Sequence, residues 1–158
     1  MTESKSIILN LTTTCGRLDL CSATLWSLVN QSLVPDQINL WISKEPYMAD
    51  EGIKTLPNSI IKLIECNDRI KVHYTENTGP YRKIIPALRN CTDEDILVYA
   101  DDDVIYSNLW LKYLIDCYLE NKSAYVVSGR LREMKKKHFG RLSKLHSFSI
   151  SFKKTTFP

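Results

Sequence analysis

Ile96-Leu97-Val98-Tyr99-Ala100 is nonpolar or aromatic at every position, and three aspartates, Asp101-Asp102-Asp103, follow it without a break. A strand with no polar alternation is buried on both faces, as in a parallel sheet covered by helices on its two sides. The rest of the chain alternates strand-like and helix-like stretches. Ser6 to Leu11 is apolar and rich in β-branched residues at its start, and Thr12-Thr13-Thr14 continues the β preference. Asp19 is placed to cap a helix whose apolar positions Leu20, Ala23, Trp26 (or Leu25), Leu28 and Val29 recur at helical spacing. Ile38 to Ile42 and Ile70 to Tyr74 read as strands, with one or two helical turns at Ile60 to Cys66 between them. Pro80 opens a helix running to about Asn90, which Pro86 should kink. A helix from Leu109 to about Asn121 and a fifth strand, Ala124 to Ser128, follow. This alternation predicts an α/β fold: a Rossmann-like, doubly wound, mostly parallel sheet of at least five strands.

Length and charge set the organisation. With 158 residues the chain holds one ordinary domain. Residues 1–129 carry 12 basic and 17 acidic side chains, net −5, whereas residues 130–158 carry 9 and 1, net +8. The division expected is a binding domain over 1–129 and a basic C-terminal segment over 130–158. Such a tail suggests a polyanionic neighbour, either an anionic membrane surface or a charged substrate; a solvated tail is the plainer alternative. Nucleic acid is not expected as a partner. The apolar stretch at Ser6 to Leu11 is too short for a secretory core, and no run approaches the roughly 18 apolar residues of a membrane span. Cys15, Cys21, Cys66, Cys91 and Cys117 are odd in number and irregularly spaced, which suggests neither a disulfide framework nor a zinc site. A reduced, cytoplasmic location is the expectation, with a peripheral place at the inner membrane face as its extension.

In doubly wound sheets ligands bind beyond the carboxyl ends of the strands. Three polar clusters fall at such ends and should converge: Thr12 to Arg17, Ser43-Lys44-Glu45, and Asp101 to Asp103. Three adjacent carboxylates after a buried strand repel one another and call for a cation. Hard oxygen donors select Mg2+ or Mn2+, ions that keep waters and share substrate phosphates. A turn in which one aspartate caps the next helix is the structural alternative. An apolar strand followed by Asp-x-Asp also opens the phosphatases that form an aspartyl-phosphate. There the motif lies on the first strand, whereas here fewer than sixty residues follow it.

Several segments together resemble a group of bacterial, family-2-like glycosyltransferases of the A fold, associated with capsule or lipopolysaccharide synthesis. These are Thr12-Thr13-Thr14-Cys15-Gly16-Arg17, Leu25 to Ser32, Pro35 to Glu45, Gly79-Pro80-Tyr81-Arg82-Lys83-Ile84-Ile85-Pro86-Ala87-Leu88, and Tyr99 to Tyr106. Animal exostosin-type transferases share a similar acidic triplet. The resemblance spans roughly residues 6–130. It implies that Thr12, Thr14 and Arg17 line the base pocket, that Ser43 and Glu45 lie near the nucleoside, and that Asn77 faces the donor. It further implies that Lys83 reaches the diphosphate, that Asp101 and Asp102 contact ribose, donor sugar or metal-bound water, and that Asp103 is the direct Mn2+ or Mg2+ ligand, with Asp101 beside it.

The function so implied is metal-dependent transfer of a sugar from a nucleoside-diphosphate sugar to a saccharide or lipid-linked saccharide acceptor. The chain departs from the pattern after the triplet. Against that pattern much of the acceptor-binding half is expected to be lacking, and no Asp or Glu follows Glu133 in this sequence, so no catalytic base is assigned. A non-catalytic nucleotide-sugar-binding remnant, or a subunit completed by a partner, is therefore an alternative. A sugar nucleotidyltransferase is a further one, though Thr12 to Arg17 lacks the Gly-rich basic loop that class wants. His73, His138 and His146 are isolated, and Trp26, Trp41 and Trp110 are expected in the core rather than as sugar platforms.

Overall fold

The computed structural model describes residues 5–120 and two further strands at 133–136 and 142–145. The chain divides into two compact units, Met1–Asn108 and Leu109–Pro158.

The first unit is built on four parallel strands: β1 (Ser6–Thr12), β2 (Gln37–Ile42), β3 (Ile70–Tyr74) and β4 (Asp95–Tyr99), in the order β3-β2-β1-β4. Ile8 sits level with Gln37 on one side and Leu97 on the other, which fixes the register of β2, β1 and β4. The first two connections run through α1 (Leu18–Val29) and α2 (Asn58–Cys66), which pack on each other. The third crosses back over β2 and β1 by a 3-10 turn at Gly79–Lys83 and the short helix α3 (Ile85–Asn90), and that turn contacts both strands. Right-handed crossovers moving in opposite directions along a sheet put their helices on opposite faces. The winding reverses between β1 and β4, so the switch point lies at the ends of these two strands.

Strand side chains alternate between faces, and the two faces differ in chemistry. Ile7, Leu9, Leu11, Ile38, Leu40 and Ile42 form a buried apolar layer on one face. The other face carries a polar network. Asn39 Nδ2 and Trp41 Nε1 donate to Asn10 Oδ1 at 3.1 and 3.0 Å. Gln37 Nε2 and the His73 ring donate in turn to Asn39 Oδ1, at 2.6 and 2.8 Å. The His73 ring stacks on Trp41 with centroids 4.3 Å apart. Residues Ala87, Asn90 and Cys91, at and just after α3, line a cavity of about 120 Å³ over this network.

Three local readings are corrected. The inward side of α1 is Cys21, Thr24, Leu25, Ser27 and Leu28, while Leu20 and Trp26 are 53% and 58% exposed, so Trp26 is not core. The helix is rotated because it presents polar groups, Thr24, Ser27 and Gln31, to the loop after β4. Asp19 lies in the first turn and does not cap α1; a 3-10 turn, Cys15–Arg17, leads into the helix and Arg17 N–H bonds the Thr14 carbonyl at 3.0 Å. The helix from Pro80 to Asn90 is two pieces rather than one kinked helix, and Pro86 falls in the first turn of α3, where its missing N–H has no partner to lose.

The second unit opens with α4 (Trp110–Glu120), which carries an exposed Lys112–Asp116 pair one turn apart. Strands β5 (Glu133–Lys136) and β6 (Leu142–Leu145) pair antiparallel, with Glu133 level with Leu145. The fifth strand expected at 124–128 lies outside the described residues. So do His138, His146 and the basic segment 130–158, apart from the β5 and β6 backbones.

Candidate functional site at the switch point

The strand-end loops of the first unit are tied to one another by charged side chains. After β4, Asp101 and Asp103 are exposed and Asp102 is buried, 3% exposed. Each of the three faces a cation. Lys83 Nζ bonds the Asp101 carboxylate at 2.8 Å and the Ala100 carbonyl at 2.7 Å. Arg17 lies 3.0 Å from Asp102 Oδ1 and 3.6 Å from Asp103 Oδ2. The second oxygen of Asp102 is buried with no hydrogen-bond partner. Its surroundings are poorly solvated: burial, and then the Asp102 charge, push the Cys21 thiol up to about 12. The triplet thus stands between two basic side chains, one from the loop after β1 and one from the turn after β3.

The loop carrying the triplet hangs on the polar side of α1. Thr24 Oγ1 shares its proton between the carbonyls of Asp102 and Val104, at 2.9 and 3.0 Å. Ser27 Oγ accepts the Tyr106 N–H at 3.1 Å, and Gln31 Nε2 donates to the Ser107 carbonyl at 2.8 Å. Tyr106 reaches back, its hydroxyl accepting the Asp101 N–H at 2.8 Å.

Residues 12–157 match the family model described as Glycosyl transferase family 2. The chain belongs to glycosyl transferase family 2. No curated protein sequence matches it. Among solved structures, the chain is similar to 4-diphosphocytidyl-2C-methyl-D-erythritol synthase from Anaerococcus prevotii DSM 20548. The TM-score is 0.54 at 16% identity, over 90% of this chain and 63% of that one. That likeness establishes the α/β fold alone, and this chain spans under two thirds of its length.

The site residues expected of a family-2 chain are distributed as follows. Arg17, Lys83, Asp101, Asp102 and Asp103 come together as described. Thr12 is buried at the end of β1 with its hydroxyl unpartnered, and Thr14 is half-buried beside it in sequence. Ser43 is fully buried, and its hydroxyl accepts the Glu45 N–H at 3.1 Å, so its contact is with its own loop. Glu45 is exposed, and its carbonyl accepts from Asn77 Nδ2 at 2.7 Å, which joins the loops after β2 and β3. Among the described residues no group of three or more His, Cys, Asp or Glu side chains converges as a metal cage.

Two charged residues at the centre of these loops were not singled out in the sequence. Asp50 and Arg82 form a buried ion pair at 3.3 Å, 7% and 2% exposed. Burial alone would raise the Asp50 carboxyl, but the N–H groups of Cys15 and Gly52 and the Arg82 guanidinium outweigh it and hold it below its ordinary value. Asp50 stands in a loop-like stretch, Pro46 to Ser59, and Arg82 lies in the expected helix from Pro80 beside Lys83, so neither carries a local signal of the other. The Asp50-x-Gly52 turn was the one available signal.

Proposed function

We propose that this chain is a nucleotide-sugar-dependent glycosyltransferase whose donor diphosphate lies at the switch point between β1 and β4, with Asp101, Asp102 and Asp103 serving it through Mg2+ or Mn2+. The observation that carries this reading is the acidic triplet at the end of β4, held between Arg17 and Lys83. A divalent ion there would screen the diphosphate and stabilise the leaving nucleoside diphosphate. Arg17 and Lys83 are the anion-binding side chains of the crevice: each already offers N–H donors beside the triplet, and each gains a stronger anionic partner when a diphosphate arrives. The donor is a nucleoside-diphosphate sugar and the acceptor a saccharide or lipid-linked saccharide hydroxyl.

Calorimetry with uridine and guanosine diphosphates tests the assignment. Affinity is expected to depend on manganese or magnesium, and Asp103→Ala to abolish that dependence; unchanged metal-dependent binding in the variant refutes the role given to the triplet. A sugar nucleotidyltransferase is the second reading, because a synthase of a diphosphocytidyl compound shares the fold. The products separate the two: a glycosyltransferase releases nucleoside diphosphate from a nucleotide sugar, whereas a nucleotidyltransferase releases pyrophosphate from a nucleoside triphosphate and a sugar phosphate. Metal-dependent binding with neither product identifies a nucleotide-sugar-binding protein without catalysis.

A further inference from the structure

The buried pair Asp50–Arg82 joins three loops at once. Asp50, in the loop after β2, accepts the Cys15 N–H from the loop after β1 at 3.1 Å and the Gly52 N–H from its own loop at 3.2 Å. Its second carboxylate oxygen takes both terminal nitrogens of Arg82 at 3.3 Å. Arg82 belongs to the turn after β3. Its remaining donors go to the Thr13 carbonyl at 3.0 Å and to the Gly79 carbonyl at 3.2 Å. Two of these contacts, those to Cys15 and Gly79, lead toward a basic side chain of the crevice. Arg82 fixes the 3-10 turn Gly79–Lys83, and Lys83 is the next residue. Asp50 fixes Cys15, the first residue of the turn that ends in Arg17.

We propose that Asp50 and Arg82 are positioning residues for the diphosphate site, holding Lys83 and Arg17 in place against the acidic triplet. The inference rests on the transferase reading for its function, though not for its geometry. A flexible lysine placed only by its own stem would sample many rotamers; Lys83 is instead 13% exposed, with its ammonium on the Ala100 carbonyl and Asp101. That placement needs a turn whose backbone does not shift. A charged pair in which Arg82 makes four directional bonds supplies it better than apolar packing, because those bonds fix the loops relative to one another. Both side chains are buried, 7% and 2% exposed, and are spent on contacts among the loops.

The test measures Lys83 directly. Native-state acetylation with an N-hydroxysuccinimide ester, read by peptide mass spectrometry, is compared for wild type, Asp50→Asn and Arg82→Lys well below their melting temperatures. Lys83 is expected to be slow in wild type and to label several-fold faster in both variants, with Lys112, which is half exposed, unchanged. Should Asp50→Asn fail to fold, Arg82→Lys, which keeps the charge but not the fork of donors, carries the test. In parallel, affinity for manganese with a nucleoside diphosphate is expected to fall about tenfold in the folded variants, the usual loss on removing an outer-shell partner. A purely structural pair would lower the melting temperature and leave both readouts of the folded protein unchanged, which overturns the proposal. Faster Lys83 labelling with undiminished affinity overturns it too. If wild type binds no nucleoside diphosphate while Lys83 responds, the clamp stands and the transferase reading falls.

Discussion

Among the described glycines, Gly52 is the one where a side chain would meet the most. Its φ is +81°, and a Cβ there would lie 2.3 Å from the Lys44 carbonyl oxygen and 2.9 Å from that of Glu45. Both obstacles are backbone, so no rotamer change relieves them. The left-handed conformation alone costs an L-residue about 1–2 kcal/mol, and displacing the Lys44–Glu45 backbone of the loop after β2 adds to it. Gly52→Ala is expected to destabilise the protein by at least about 2 kcal/mol, a fall of about 4–8 °C in melting temperature for a chain of this size. Gly16 is the control: nothing lies within 4 Å of the position its Cβ would take. Differential scanning calorimetry of the two variants checks the contrast, and equal melting temperatures would contradict it. Asp50 lies two residues before Gly52 and accepts its N–H, so the turn that needs glycine is also the turn that aims the buried carboxylate.

At the scale of elements, α1 does two tasks that its sequence shows unequally. The apolar repeat located the helix and two of its buried positions, Leu28 and the alternative Leu25, but it also took in Leu20 and Trp26, which count as hydrophobic in any periodicity and face solvent. The rotation is decided by Thr24, Ser27 and Gln31, which lie one above another on one side and hold the loop after β4. Each is unremarkable alone, and none signals a partner nearly eighty residues away. The strands were legible for the opposite reason: β1, β2 and β4 are mostly apolar over short runs bounded by polar clusters, a pattern that burial of the sheet favours, although Asn10 and Asn39 interrupt it. The triplet was legible because like charges at a buried strand end have few structural excuses; Asp50 and Arg82 were not, because a long-range buried pair leaves no local pattern. Thr24→Val removes the one proton that serves the carbonyls of Asp102 and Val104. It should cost about 1–3 kcal/mol, the penalty for leaving buried acceptors unpaired. Hydrogen exchange of the amides in 102–107 should quicken in Thr24→Val and stay at the wild-type rate in Thr24→Ser; slow exchange in both would remove α1 as the support of the site.

For the molecule as a whole, buried titratable groups bias stability toward neutral pH. His73 is held below its ordinary 6.5 by burial against the sheet, where its ring also stacks on Trp41. Its Nε2 donates to an amide oxygen, so the neutral form already satisfies that contact. Between pH 6.5 and the lower folded value the unfolded chain takes up a proton that the native chain refuses, so unfolding becomes easier as the pH falls. Asp50 acts further down: its folded value is below its ordinary 3.8, so its contribution is complete above that value and is lost as pH falls through the folded one. Stability from urea denaturation is therefore expected to decline in two limbs on acidification, one beginning near pH 6.5 and one below about pH 4. His73→Phe should flatten the first limb and leave the second; Asp50→Asn should flatten the second and leave the first. The two sites lie on different parts of the unit, one under α3 and one among the strand-end loops, so the double variant should show both changes added together. A single limb that neither substitution alters would mean that other groups carry the acid response, and with it that neither burial of His73 nor the Asp50–Arg82 pair contributes as the geometry requires.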